Sequence, residues 1–204
     1  GALSGMHAMV SSGTSPKMVE KETQVRMIGY GGMLMESFVA IMALAAAVSL
    51  SPGIYFSMNT STATMNKIAG PETVASAPCK TTDDPEHHCE RLAEAAVAKL
   101  GVTDAQGRKL NPEWDSWDDQ GNPKTYTGAE ALERLASDVG EPNVVSRTGG
   151  APTLSVGIAH ILHQIGGGRA MMGFWYHFAI MFEALFILSA VDAVTRVARF
   201  QLSD

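Results

Sequence analysis

Several signatures of soluble enzymes and metal proteins are missing from this 204-residue chain. It has two cysteines, Cys79 and Cys89, and no Cys-x-x-Cys pair. That leaves room for one disulfide in an oxidising compartment, although two cysteines alone do not establish it. No phosphate-binding glycine motif and no Gly-x-Ser-x-Gly elbow occurs, so nucleotide and serine-hydrolase chemistry have nothing to rest on. No basic patch is present for nucleic acid. Asp115, Asp118 and Asp119 lack the glycine and terminal glutamate that an EF-hand loop places after them. His87-His88-Cys89 point to different sides of a helix and read better as a solvated helix start than as metal ligands. Neither a metal nor a cofactor is expected. Gly1 is not an initiator and no n-region precedes an apolar h-region, so no signal peptide is expected. The chain reads as an internal fragment of a larger membrane protein.

Charge is scarce and unevenly placed. Charged residues make up 18% of the chain, and its formal charge of −6 lies wholly between Ser51 and Gly150. This acidic block separates two long apolar runs, Met27–Leu50 and Met171–Val191, interrupted only by Glu36 and Glu183 apart from neutral polar groups and His177. Either run can cross a hydrocarbon core about 30 Å thick, which takes roughly 20 helical residues. A carboxylate at that depth costs about 2.5–3.5 kcal/mol on insertion scales, so it is expected to face protein or a water-filled path.

The spacing predicts further detail. Gly29, Gly32, Glu36, Ala40, Ala43 and Ala47 follow three- and four-residue steps and share one small-residue stripe, which places Glu36 on a packed face. Ser51-Pro52-Gly53 is expected to end that helix. In the acidic block, Asp84, Pro85 and Gly101 bound one short helix. Thr127-Gly128-Ala129-Glu130 fits a capping box ahead of Ala131–Ser137. Asn111–Lys124 reads as turns. Thr153–Ile165 is apolar but short for a span, with His160 and His163 on it; glycines on both sides suit a re-entrant or broken helix. Phe174-Trp175-Tyr176 suits the interfacial belt, and Tyr176, Glu183 and Ala190 share a face. Asp192 and Arg196 are spaced to pair.

The expected fold class is therefore all-α: a polytopic membrane-protein fragment with transmembrane helices, a re-entrant or broken helix and a long polar loop. Residues 1–26 are expected to hold the end of a preceding membrane helix and a cytoplasmic loop, and 27–50 a transmembrane helix. Residues 51–150 would form an acidic extracytoplasmic loop and 151–168 the short re-entrant or broken helix. A second transmembrane helix is expected over 170–197, with a cytoplasmic end at 198–204. Lys17, Lys21 and Arg26 before the first span, and Arg196 and Arg199 after the last, set this sidedness.

The blocks GALSGMHAMVSSGTSPKM, IGYGGMLMESFVAIMAL, SRTGGAPTLSVGIAHIL and FWYHFAIMFEALFILSAVDAVTRVARF resemble consecutive parts of the carbon starvation protein A family and cover roughly half of the chain. The resemblance implies a multi-pass protein of the bacterial inner (cytoplasmic) membrane. It also implies secondary transport of small peptides or pyruvate during nutrient limitation, by a carrier of the inverted-repeat, broken-helix kind. The expected partners are that small-molecule substrate, protons, the lipid bilayer and the remaining helices of the full-length protein, with no nucleic acid. An enzyme is not expected.

Candidate residues for substrate or proton coupling are Glu36, Glu183, His177 and His7; Ser4, Ser11, Ser12 and Tyr176 are candidates for a substrate path. Each has a plain structural alternative. Either glutamate can lock helices together, His177 can reach headgroups or a backbone carbonyl, and His7 can pack among small residues. The serines can make interhelical hydrogen bonds. The rival reading is a membrane-embedded nutrient sensor or scaffold whose external loop binds a ligand or partner.

Overall fold

A computed structural model describes residues 5, 8, 10–70, 79, 87–101, 103, 107, 109, 111–165 and 168–203. The chain divides into two compact units, Gly1–Met42 with Met181–Asp204, and Ala43–Ile180. The described chain is mostly helical, and two of its helices are long and apolar enough to cross a membrane.

The first unit is built from the ends of those helices. After a π-helical turn at Val10–Thr14 and the short α1 (Ser15–Met18), α2 runs over Glu22–Val48; α8 covers Met172–Ser203. At 1.5 Å per residue, the 27 residues of α2 are ample for a hydrocarbon core. Only 6% of each helix's apolar window is buried, which is the reverse of a soluble core helix. Met27, Leu34, Phe38, Leu185 and Phe186 all stand exposed. Polar side chains close on their own helix: Ser37 Oγ donates to Met33 O at 2.8 Å and Ser189 Oγ to Leu185 O at 3.0 Å. Asp192 and Arg196 pair at 2.8 Å, as their spacing predicts.

In the second unit the acidic block folds. Its elements are α3 (Pro52–Asn59), α4 (Thr62–Ala69), α5 (His88–Lys99), β1 (Glu113–Trp117), β2 (Pro123–Thr127) and α6 (Ala129–Val139), followed by α7 (Ala151–Ile165). Ser51-Pro52-Gly53 does stop α2, but it also starts α3. Pro52 needs no N–H partner at the first helical position, and Ser51 Oγ accepts from Ile54 N. Gly53 is required there, because a Cβ would run into the Asn111–Pro112 backbone.

The expected all-α class needs correction at Asn111–Lys124. That stretch is not only turns: β1 and β2 pair antiparallel, Trp114 opposite Tyr126. Trp114, Ser116 and Tyr126 face inward while Glu113, Asp115 and Thr125 face out, the alternation of a half-buried strand. Gly121, at φ 83°, makes the turn. Helix α6 starts at Ala129 behind Gly128, two residues before the predicted Ala131. Thr127 is not the cap. The carboxylate of Glu94, on α5, accepts from Ala129 N at 3.1 Å instead, and Gly128 leaves room for it. The helix predicted between Asp84 and Gly101 is α5, seen from His88; Asp84 and Pro85 lie outside the described residues. Cys79 and Cys89 are disulfide-bonded.

Leu50, Ile54, Met58, Met65, Leu92, Leu132 and Leu135 form one core with Val156 and Ala159 of α7 and Met172 and Tyr176 of α8. Asn59 Nδ2 donates to Thr153 Oγ1 at 2.9 Å, tying α3 to α7. Gly157 meets the backbone of Ala46, leaving no space for a Cβ. A Gly157→Ala substitution should therefore destabilise this packing by about 1–3 kcal/mol. A lowered thermal midpoint of the full-length protein, with α7 losing hydrogen-exchange protection first, is the expected result.

Candidate functional site

The residues singled out from sequence do not converge on one pocket. In the first unit, Glu36 is exposed on α2. Along its stripe, nothing among the described residues lies within 4 Å of a Cβ built at Gly29 or Gly32. The stripe is therefore open to a neighbouring helix. Glu183, on α8, is half-buried; its Oε2 is shielded and meets no hydrogen-bond partner among the described residues. Ser11 and Ser12 both donate to Ala8 O, at 3.0 and 2.7 Å, which occupies their hydroxyls locally. Ser4 and His7 lie outside the described residues.

Tyr176 and His177 belong to the second unit. Tyr176 is only 2% exposed; it sits in the core rather than on an open interfacial belt. Its hydroxyl bonds the carboxylate of Glu141, which also takes Arg147 Nη2 at 3.2 Å. Arg147 Nε donates to Asn143 O at 3.1 Å, and Ser146 N to Ser57 O at 3.0 Å. A polar turn thus holds the start of α8 and the end of α3. His177 is exposed, and its Nδ1 donates to Gly173 O at 2.7 Å. That bond fixes the ring. Glu141 and Arg147 had no sequence signal beyond their charge.

A second polar constellation lies behind the hairpin. Asp138, on α6, accepts from Trp114 Nε1 at 3.0 Å and from Ser116 Oγ, and forms an ion pair with Arg134, whose Nε lies 3.2 Å away and donates to Ser116 Oγ at 3.3 Å. On the outer side of α6, an open cleft of about 450 Å³ is lined by Asp118, Asp119, Lys124, Tyr126, Glu130 and Arg134. Its cations are already engaged: Lys124 Nζ lies 4.2 Å from the Tyr126 ring centre and 3.2 Å from Glu130. Asp118 turns inward on its own loop. The backbone and side-chain amides of Asn122, then the amide of Gln120, hold its carboxyl below the ordinary 3.8. The indole–carboxylate bond was legible only as two tryptophans among aspartates.

Helix α7 carries His160 and His163 against β1. Burial, with His163 next and Asp115 opposing, pushes His160 below its ordinary 6.5. The Trp114 and His160 ring centres are 4.9 Å apart.

The family model described as carbon starvation protein CstA matches residues 1–110 and 115–204. The chain belongs to that family. Similar proteins include the peptide transporter CstA of Escherichia coli, 48% identical over the whole of this chain and 24% of the relative. The pyruvate/proton symporter BtsT of the same organism is 46% identical over the whole chain and 25% of its own length. The peptide transporter CstA of Mycobacterium tuberculosis is 46% identical over the whole chain and 22% of its length. The chain thus spans about a quarter of the length of these relatives. No solved structure matches it.

Replacing Asp138 with Ala leaves Arg134, 13% exposed at its side chain, without its nearest carboxylate. Loss of one partner of a buried pair costs about 3–5 kcal/mol. Hydrogen exchange of β1 amides in the full-length protein should show a loss of that order. Asp138→Asn, which still accepts from Trp114, should lose less.

Proposed function

We propose that the intact protein is a secondary active transporter that imports small peptides or pyruvate with protons across the bacterial cytoplasmic membrane during nutrient limitation. The observation that carries this reading is the similarity, over the whole chain, to relatives named as a peptide transporter and as a pyruvate/proton symporter. Two long, almost unburied apolar helices, each holding one mid-helix glutamate, support it physically. Relatives named as transporters favour a carrier over an enzyme.

In this reading α2 and α8 cross the bilayer and the acidic block faces outside. The basic residues Lys17, Lys21, Arg26, Arg196 and Arg199 stay inside, by the positive-inside rule. The Cys79–Cys89 disulfide favours the same sidedness, because disulfides persist in oxidising compartments. Helix α7 is 15 residues long, short of the roughly 20 that a straight crossing requires. It serves as a broken helix at the outer edge. Further helices of the full-length protein cover the Gly29–Gly32–Glu36 face. Glu36 and Glu183 are the acids of the coupling step, one of them gaining and losing a proton as access alternates. His177, His7, Ser4, Ser11, Ser12 and Tyr176 line or support the path.

The test is uptake of labelled pyruvate and a labelled dipeptide by cells making the full-length protein, with and without an imposed proton gradient. Gradient-driven uptake of at least one is expected. Glu36→Gln and Glu183→Gln should abolish it while the protein remains in the membrane. Full uptake in both variants overturns the coupling role, and no gradient-driven uptake of either compound by the unaltered protein overturns the carrier.

A further inference from the structure

Four aromatic rings lock the C-terminal half of α7 onto β1. His160 lies 4.9 Å from Trp114 and 5.3 Å from His163, which meets Trp117 edge-on at 5.6 Å. Trp114 is itself fixed from behind by Asp138. His163 is 6% exposed, with Nδ1 3.2 Å from Ala159 O, so its ring has an internal partner. His160 does not have its full set. Its Nε2 lies 3.5 Å from the Gln164 side-chain amide, while its Nδ1 is buried and meets no hydrogen-bond partner among the described residues. Whichever nitrogen carries the proton in the neutral ring, an imidazolium needs an acceptor at both.

The surroundings offer little to receive that charge. On α7 itself the neighbouring titratable group is His163, which repels a cation. β1 contributes Asp115, which attracts one, but its Oδ1 already accepts from Thr125 Oγ1 at 2.6 Å; Glu113 stands exposed at the strand's start. α3 offers only Tyr55, and the Ala43–Val48 end of α2 has no titratable side chain. On α6, Asp138 and Arg134 are paired with each other at 3.2 Å behind Trp114. The ring of Trp114, tilted beside His160, would also attract a cation. Burial and the repulsion from His163 outweigh the attraction of Asp115.

We propose that His160, beside His163, is an acid-sensitive latch that holds α7 against the β-hairpin when neutral and releases it when protonated. The sign follows from linkage. His160 takes a proton less readily folded than unfolded, so its stabilisation is complete above the unfolded value of about 6.5 and is lost as pH falls below it. The consequence for transport rests on the carrier reading: external acid, the driving side for proton-coupled import, would loosen the helix that packs on the Ala46 end of α2. The latch itself does not depend on transport.

Hydrogen exchange of the full-length protein in detergent at pH 7.5 and 5.5, corrected for the intrinsic pH dependence of exchange, tests it. The α7 amides of the unaltered protein should lose protection on acidification, by up to about tenfold, the ceiling that one proton sets between an unfolded value near 6.5 and pH 5.5. Those of α6 should change little. His160→Phe keeps an uncharged ring against Trp114 and should hold α7 equally at both pH values; His160→Gln, polar but never charged, gives the same answer should Phe disturb the packing. Unchanged α7 protection in the unaltered protein overturns the latch. An equal acid loss in both variants overturns it too, and a loss removed only by His163→Phe overturns the assignment to His160. Failure of uptake would sink the carrier reading but would leave this exchange result intact.

Discussion

The second unit depends on one close approach: the backbone of Ala46, near the end of an apolar helix, lies directly against Gly157 of α7. Any side chain at 157 would hold the two helices apart. With glycine there, Val156 and Ala159 enter the same core as Leu50, Ile54 and Met58, all 5% exposed or less. Fully burying a valine-sized side chain contributes about 1.5–3 kcal/mol, so small errors in this spacing would cost the core several such terms. The polar ends of the seam are matched as well, because Asn59 meets Thr153 as α7 begins. Helix α7 is thereby a structural part of the Ala43–Ile180 body, whatever its depth relative to a bilayer.

Side chains from distant parts of the sequence close the joints of that body. Ser51 Oγ serves Ile54 N at the start of α3 and also takes Glu113 N at 3.1 Å, where β1 begins. The carboxylate of Glu94 sits at the positive end of α6, and the ammonium of Lys99 reaches Ala69 O at the negative end of α4. Helix ends carry backbone groups that the helix itself cannot satisfy. Satisfying them across elements makes each element's position depend on another's. A connection that needed only to span two membrane helices would not require such cross-capping, and the disulfide at Cys89 adds to it.

The elements governed by one dominant signal were legible in the sequence. Both long helices follow from length and hydropathy, α7 from an apolar run between glycines, and the Asp192–Arg196 pair from spacing. Elements whose signals compete were not. Ser51-Pro52-Gly53 carries a stop and a start at once, and reading the stop hid α3 and α4. The hairpin has strands of five residues whose alternation is masked by aspartates, a proline and a glycine that also favour turns. Thr127 satisfies the capping-box pattern, yet a carboxylate from another helix won that place. Among the candidate site residues, Glu36, Glu183 and His177 were visible as ionisable groups in apolar runs, and Tyr176 as a heptad partner of Glu183. Glu141 and Arg147 were not visible, since ordinary charged residues in a polar block become distinctive only when a buried tyrosine lies between them and a helix.

The substrate question is narrowed by the same comparison that gives the family. A peptide transporter and a pyruvate/proton symporter match this stretch almost equally, at 48% and 46% identity over its whole length. Dipeptides and pyruvate differ in size, in charge and in hydrogen-bonding groups, so a pocket that discriminates them must differ in several side chains. Near-equal similarity to both fits a stretch that carries features the two relatives share. Apolar helices with one mid-helix glutamate in each, and a cross-capped acidic body, fit that description better than a recognition pocket does. The side chains that separate a peptide carrier from a pyruvate carrier then lie where those two relatives differ, within this stretch or in the three quarters of their length that it does not span.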